Sequence, residues 1–191
     1  MKRSKSASIF SALVIAVVVI GFPVGRCAAS PPSNHDLASM EVQDQADRAA
    51  GSNKIDWDVV STRDAARRTE VLQLLNAGDI RSADDFYNAA LIFQHGDSIQ
   101  DTQLALALAT TSARMNPSNQ QAQVLMAQAW DRILVRSGKP QWYGTQFQRS
   151  KTTGKWELFP TDPTAVTEAQ RTALGLPTLA ETLAHIAQLN K

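Results

Sequence analysis

The stretch Ser82-Ala83-Asp84-Asp85-Phe86-Tyr87-Asn88-Ala89-Ala90-Leu91-Ile92-Phe93-Gln94-His95-Gly96 decides the fold class. Ser82 supplies a capping hydroxyl with a carboxylate three residues on, and Phe86, Ala89, Ala90 and Phe93 recur at i, i+3, i+4 and i+7. Gly96 ends the pattern. The spacing predicts an amphipathic helix whose apolar stripe must be buried against other helices.

The flanking segments repeat this grammar. Upstream, Thr62-Arg63-Asp64 leads into Val71, Leu72 and Leu75, and Asn76-Ala77-Gly78 closes with a residue suited to left-handed geometry, which predicts a helix over 62–76. Downstream, a helix from about Asp101 to Met115 carries Leu104 and Leu108 as large knobs. Its small stripe of Ala105, Ala109 and Ala113 permits close helix approach, and Asn116-Pro117 ends it, since proline disfavours helical geometry in the residue before it. A fourth helix starts at Ser118 or Asn119, turns Ala122, Leu125, Met126, Ala129 and Ile133 inward with Trp130 at the stripe's edge, and closes at Gly138.

Asn88-Ala89-Ala90-Leu91-Ile92-Phe93 can be laid over Ala122-Gln123-Val124-Leu125-Met126-Ala127 at an offset of 34 residues. That offset suits tetratricopeptide-like hairpins, although the residues themselves match poorly and a solenoid usually needs three or more units. After Gly138 the pattern changes. Trp142-Tyr143-Gly144-Thr145-Gln146-Phe147-Gln148 and Trp156-Glu157-Leu158-Phe159 flank the loop Ser150-Lys151-Thr152-Thr153-Gly154-Lys155, which predicts a β-hairpin near 142–159. A lone hairpin is marginal in water, so Phe147, Trp156 and Leu158 are expected to dock it on the helices. Two short helices follow, one within about Pro163 to Leu174 and one from Thr178 to about Leu189, the latter with capping-box spacing at Thr178-Leu179-Ala180-Glu181 and a buried side of Leu179, Leu183 and Ile186. His185 falls away from that side. The expected architecture is mostly α: antiparallel helical hairpins with tetratricopeptide-like stacking, a small C-terminal β-hairpin and two terminal helices.

The chain has 191 residues. At its start Lys2, Arg3 and Lys5 precede an apolar run from Ile9 to Phe22, too short to span a bilayer comfortably, and Cys27-Ala28-Ala29 places small residues for cleavage after Ala29. Residues 1–29 therefore read as a signal peptide, which implies export to a periplasmic or secreted location. Two alternatives stay open, lipidation of Cys27 and an uncleaved anchor over Ile9 to Val24. The leader takes four of the 19 basic residues and none of the 18 acidic ones, leaving a formal charge of −3. No basic field remains for nucleic acid. The single cysteine lies in the leader, so the remainder has no disulfide. Residues 30–54 are polar and poor in large apolar side chains, and read as a disordered linker with one short helical patch, leaving 55–191 as a single helical domain.

Chemistry-bearing residues gather in two knots, Gln94-His95-Gly96-Asp97 and Gly138-Lys139-Pro140-Gln141-Trp142-Tyr143-Gly144-Thr145-Gln146, with Asp131-Arg132 before the second. His35, His95 and His185 are scattered, and no Cys-x-x-Cys, Gly-x-Ser-x-Gly or phosphate-cradling glycine loop is present, so neither a metal nor a cofactor is expected. His95 could serve as a base, or could simply interact with the negative end of its helix. Arg132 could hold a carboxylate or phosphate, or could pair with Asp131 in a salt bridge that pins the loop. Gln141, Thr145 and Gln146 more often satisfy loop backbone groups than a ligand. Gly144 would let the chain pass close to another surface, such as the helix end at Gln94-His95.

Taken together, Ala89-Ala90-Leu91-Ile92-Phe93-Gln94-His95-Gly96, Asp131-Arg132 and Gly138-Lys139-Pro140-Gln141-Trp142-Tyr143-Gly144-Thr145-Gln146-Phe147 resemble a bacterial domain family of unassigned reaction. Its members carry an alanine-rich helix ending in Gln-His-Gly, a pair of Ala-rich helices ending in Asp-Arg, and a Gly-x-Pro-Gln-x-Tyr-Gly-Thr-Gln loop. The resemblance covers about residues 62–180, and Trp142 stands where an aliphatic residue is more usual. It implies that Gln94, His95, Asp131, Arg132, Gln141, Tyr143 and Gln146 meet in one cluster. The leading expectation is a binding or interaction module for a protein or peptide partner. The alternatives are a hydrolase using His95 oriented by Asp131, and a cluster that is purely architectural.

Overall fold

The computed structural model describes residues 30–49 and 54–191, so the segment expected to be a signal peptide lies outside the described residues. Among these residues the order is α1 (His35–Arg48), α2 (Trp57–Ala77), α3 (Ala83–Gln94), α4 (Ile99–Met115), α5 (Gln120–Arg136), β1 (Phe147–Arg149), β2 (Trp156–Leu158), α6 (Glu168–Ala173) and α7 (Leu179–Leu189). The mostly helical class, the packed hairpins and the small C-terminal β-hairpin are as expected.

The caps explain the helix starts. Ser82 and Asp85 form a reciprocal capping box on α3, as do Ser98 and Asp101 on α4 and Thr178 and Glu181 on α7. α2 begins five residues before the expected Thr62 because Asp56 accepts a bond from the Val59 amide. It ends at Gly78, whose φ of 73° lets the amides of Gly78 and Asp79 close onto Leu75 and Leu74.

α3, α4 and α5 form the central stack. Ala89, Ala90, Ile92 and Phe93 of α3 are buried against Ala105, Leu108 and Ala109 of α4, and Leu125 and Ala129 of α5 complete that core. Alanines at the contacts bring the backbones close enough for the Ser112 hydroxyl on α4 to donate to the Ala83 carbonyl at 2.8 Å. The turn between α3 and α4 is equally tight: a Cβ on Gly96 would lie 2.3 Å from that of Asp101.

Residues 30–49, the described part of the expected disordered linker, are ordered by one helix and packed on the core, and residues 50–53 lie outside the described residues. α1 occupies His35–Arg48, capped by Asn34, and buries Leu37, Met40 and Asp44 at positions i, i+3 and i+7. Leu37 and Met40 join the central core. The charged residues that made the segment look solvated are paired instead: Asp44 with Arg48 at 3.0 Å, Asp47 with Arg63 at 2.6 Å and Arg67 at 2.5 Å, and Asp64 with Arg67 at 3.0 Å and with Arg48. A second tie is Asp85, whose carboxylate accepts from the amides of Asn34, Arg81 and Ser82 and so joins the starts of α1 and α3. Residues Pro31–Lys191 form one unit.

The β-hairpin is shorter than expected. Phe147 faces Leu158, and Arg149 faces Trp156, but 142–146 are not strand. Their amides are spent elsewhere, as described below. β2 packs on α7, with Asn190 bonded to both the Trp156 amide and carbonyl at 2.7 and 2.9 Å, and Trp156 meets Phe147 edge to face at 5.6 Å. Of the expected buried side of α7, only Ile186 is buried; Leu183 is 49% exposed because α7 is covered on one side alone.

Candidate functional site

Asp131, near the C-terminal end of α5, is fully buried and carries the largest share of bonds in the 138–146 segment. Its carboxylate accepts from the amides of Trp142 at 2.8 Å, Tyr143 at 2.9 Å and Thr145 at 3.0 Å, and from the Thr145 hydroxyl at 2.9 Å. A carboxylate that attracts three amide donors from within four residues holds the chain in a concave loop rather than a strand. Burial, and then the Asp131 charge, push the Tyr143 hydroxyl above its ordinary pKa.

Gln141 is the second architectural residue. Its side-chain amide takes the part of a missing strand: Nε2 donates to the carbonyls of Gln146 and Phe159, each at 2.9 Å, and Oε1 accepts from the Gln146 amide at 2.8 Å. Its main chain bonds to Pro160 and Asp162. With all polar atoms engaged and no exposure, Gln141 is not available to a ligand. Gly144 approaches Arg171 and Leu179 of the C-terminal helices, and not the end of α3.

Arg132, one residue on, turns the other way. It makes no salt bridge with Asp131. Its Nε donates to Gln146 Oε1 at 3.0 Å, and Nη1 donates to the Gln94 carbonyl at the end of α3. This fork joins α5, α3 and the loop at one point. Burial, followed by repulsion from Arg136 and Arg48, lowers the Arg132 pKa to about 10, leaving it protonated at neutral pH.

His95 caps α3, with Nδ1 2.8 Å from Asp44 Oδ2. Asp44 on α1, and not Asp131, therefore orients the imidazole, since every Asp131 oxygen is occupied by the loop. The sequence reading missed Asp44 because it lies in the segment taken as linker.

These residues surround a cavity of about 380 Å³. Gln94, His95, Arg132, Thr145 and Gln146 line it together with Gln45 of α1 and Gln128 of α5, over a floor that includes Leu91, Leu125 and Phe147. Gln94 and Gln146 thus meet, as the sequence reading required, whereas Asp131, Gln141 and Tyr143 stand behind or beside the cavity. Gln45 and Gln128 were missed, Gln128 because a lone glutamine inside a helical pattern reads as a solvated position. A second cavity of about 330 Å³, lined by Arg171, Leu176, Glu181 and His185 among others, shares Gln128, Thr145 and Phe147 with the first. Among the described residues no group of His, Cys, Asp and Glu could hold a metal ion, and no helix is long and apolar enough to cross a membrane.

No family model, curated protein or solved structure matches this chain.

Proposed function

We propose that the protein is an exported binding module that holds a segment of a protein or peptide partner across the two adjoining cavities. The observation that carries this reading is the shared wall of Gln128, Thr145 and Phe147, which sets the two chambers side by side so that an extended ligand lying over Phe147 would touch both. The chambers fall in the size range of small-ligand sites; the first is lined by amide, hydroxyl and guanidinium groups, which recognise backbone and polar side chains, and the second is mostly apolar with Arg171, Glu181 and His185 at its wall. Phe147, 37% exposed between them, offers an apolar contact at the middle. Selection from a random peptide library on the full chain tests it. Enrichment that Phe147→Asp abolishes, in a variant whose far-UV circular dichroism and cooperative melting show that it is still folded, is the expected result; no enrichment over a non-binding control protein removes the proposal.

A second reading, hydrolysis with His95 as acid or base, is favoured by the Asp44–His95 pair, since a carboxylate on Nδ1 fixes the tautomer a base needs. Its test is cleavage of the selected peptides. Turnover lost in His95→Gln with peptide binding retained would support it, and intact peptides after prolonged incubation would end it.

A further inference from the structure

We infer that the ligand end seated beside Arg132 is a free carboxylate joined to an amide N–H, as at the C-terminus of a peptide; this rests on the binding reading above.

Arg132 makes no ion pair among the described residues, unlike Arg48, Arg63 and Arg67 nearby. The cavity wall contains no aspartate or glutamate, so nothing in it neutralises that charge. Two of the guanidinium's three nitrogens are already committed, Nε to Gln146 and Nη1 to the Gln94 carbonyl, and these bonds fix its plane. Nη2 has no partner among the described residues and offers two further N–H donors. A rigid guanidinium with a free edge in a partly enclosed cavity is suited to a planar carboxylate. Arg136, which like Arg132 makes no ion pair among the described residues, acts on Arg132, whereas Arg48 is paired with Asp44 and Asp64.

The second requirement comes from Gln94. This side chain is only 4% exposed, and its Oε1 is buried without a hydrogen-bond partner. Leaving such an acceptor unmade costs about 1–3 kcal/mol. Because the Gln94 carbonyl is bonded to Arg132, the orphaned acceptor and the uncompensated cation belong to neighbouring groups of the same cavity. A carboxylate on Nη2 with its own amide N–H directed to Gln94 Oε1 satisfies both. A bare phosphate ester brings charge but no N–H, and an amine brings a donor but is repelled by Arg132.

The test is titration of the full chain with N-acetyl-alanyl-alanine, with the C-terminal amide of the same dipeptide, and with inorganic phosphate. Side-chain NMR of chain labelled with 15N-arginine follows the Arg132 Nε–H, assigned by its loss in Arg132→Lys. The free acid is expected to shift and saturate this resonance, with the amide at least tenfold weaker and phosphate weaker than the acid. Gln94→Leu should weaken acid binding several-fold while raising the melting temperature, because it removes the orphaned acceptor. Equal affinity for acid and amide, or tighter binding of phosphate, overturns the carboxylate assignment. Acid binding undiminished in Gln94→Leu overturns the role of the N–H. If no probe moves the resonance while library peptides still bind in a Phe147-dependent way, the carboxylate inference fails and the binding reading stands; if the library also yields nothing, both fail.

Discussion

Asp131 and Asp85 show how single carboxylates organise this chain by collecting amide hydrogens. The Asp131 oxygens take four donors from three residues of one loop. Replacing it with asparagine keeps the volume but points an NH2 group at amides that also donate. Asp131→Asn should therefore lose at least about 3 kcal/mol, read as a lowered urea midpoint, and should also reduce peptide binding by releasing Thr145 and Gln146. Asp85 provides the pH signature. Burial pushes its carboxyl upward, but the amides of Ser82, Asn34 and Arg81 outweigh that and hold it below its ordinary pKa. A carboxyl depressed in the folded state contributes stability that is present above its unfolded value of about 4 and is lost as pH falls through the lower folded value. Asp85→Asn should lower stability at neutral pH and flatten its acid decline below about pH 4, measured by denaturant melts across that range.

At the scale of elements, α1 is the sharpest departure from what the residues suggested. Leu37 is fully buried in the common core. Leu37→Ala should cost about 2–5 kcal/mol, visible as a shift in thermal midpoint, whereas a linker residue would cost nothing measurable. Periodicity exposed α3, α4 and α5 because each spaces its apolar residues for one buried stripe between clear stops. It failed for α1 because two apolar residues and an ion cluster do the anchoring, and the ions' partners Arg63, Arg67 and Asp64 lie on another helix. It failed again at 142–146, where alternation resembles a strand; the decisive acceptor, the Asp131 carboxylate, is more than ten residues away in sequence. The cavity was half legible for the same reason. Gln94, His95, Arg132 and Gln146 sit at helix ends and in a marked loop, while Gln45, Asp44 and Gln128 have no local signature.

Across the whole molecule, two kinds of attachment hold the site. The α3–α5 stack supplies rigid walls through close apolar packing, and charge-assisted bonds fasten the loop to it through Arg132 and Asp131, and α1 through the Asp44–His95 and Asn34–Asp85 contacts. The C-terminal part is held more lightly, through Asn190 on β2, Ile186 and the approach of Gly144 to Arg171 and Leu179. That last contact has a mechanical meaning. Gly144 adopts a φ of 64°, and a methyl group added there would stand about 3 Å from Arg171 Nη1 and Leu179 Cδ1. The bare backbone at this point acts as a spacer of minimum thickness beside the second chamber: any larger residue at 144 would push the tips of Arg171 and Leu179 aside and would itself be strained by the left-handed φ.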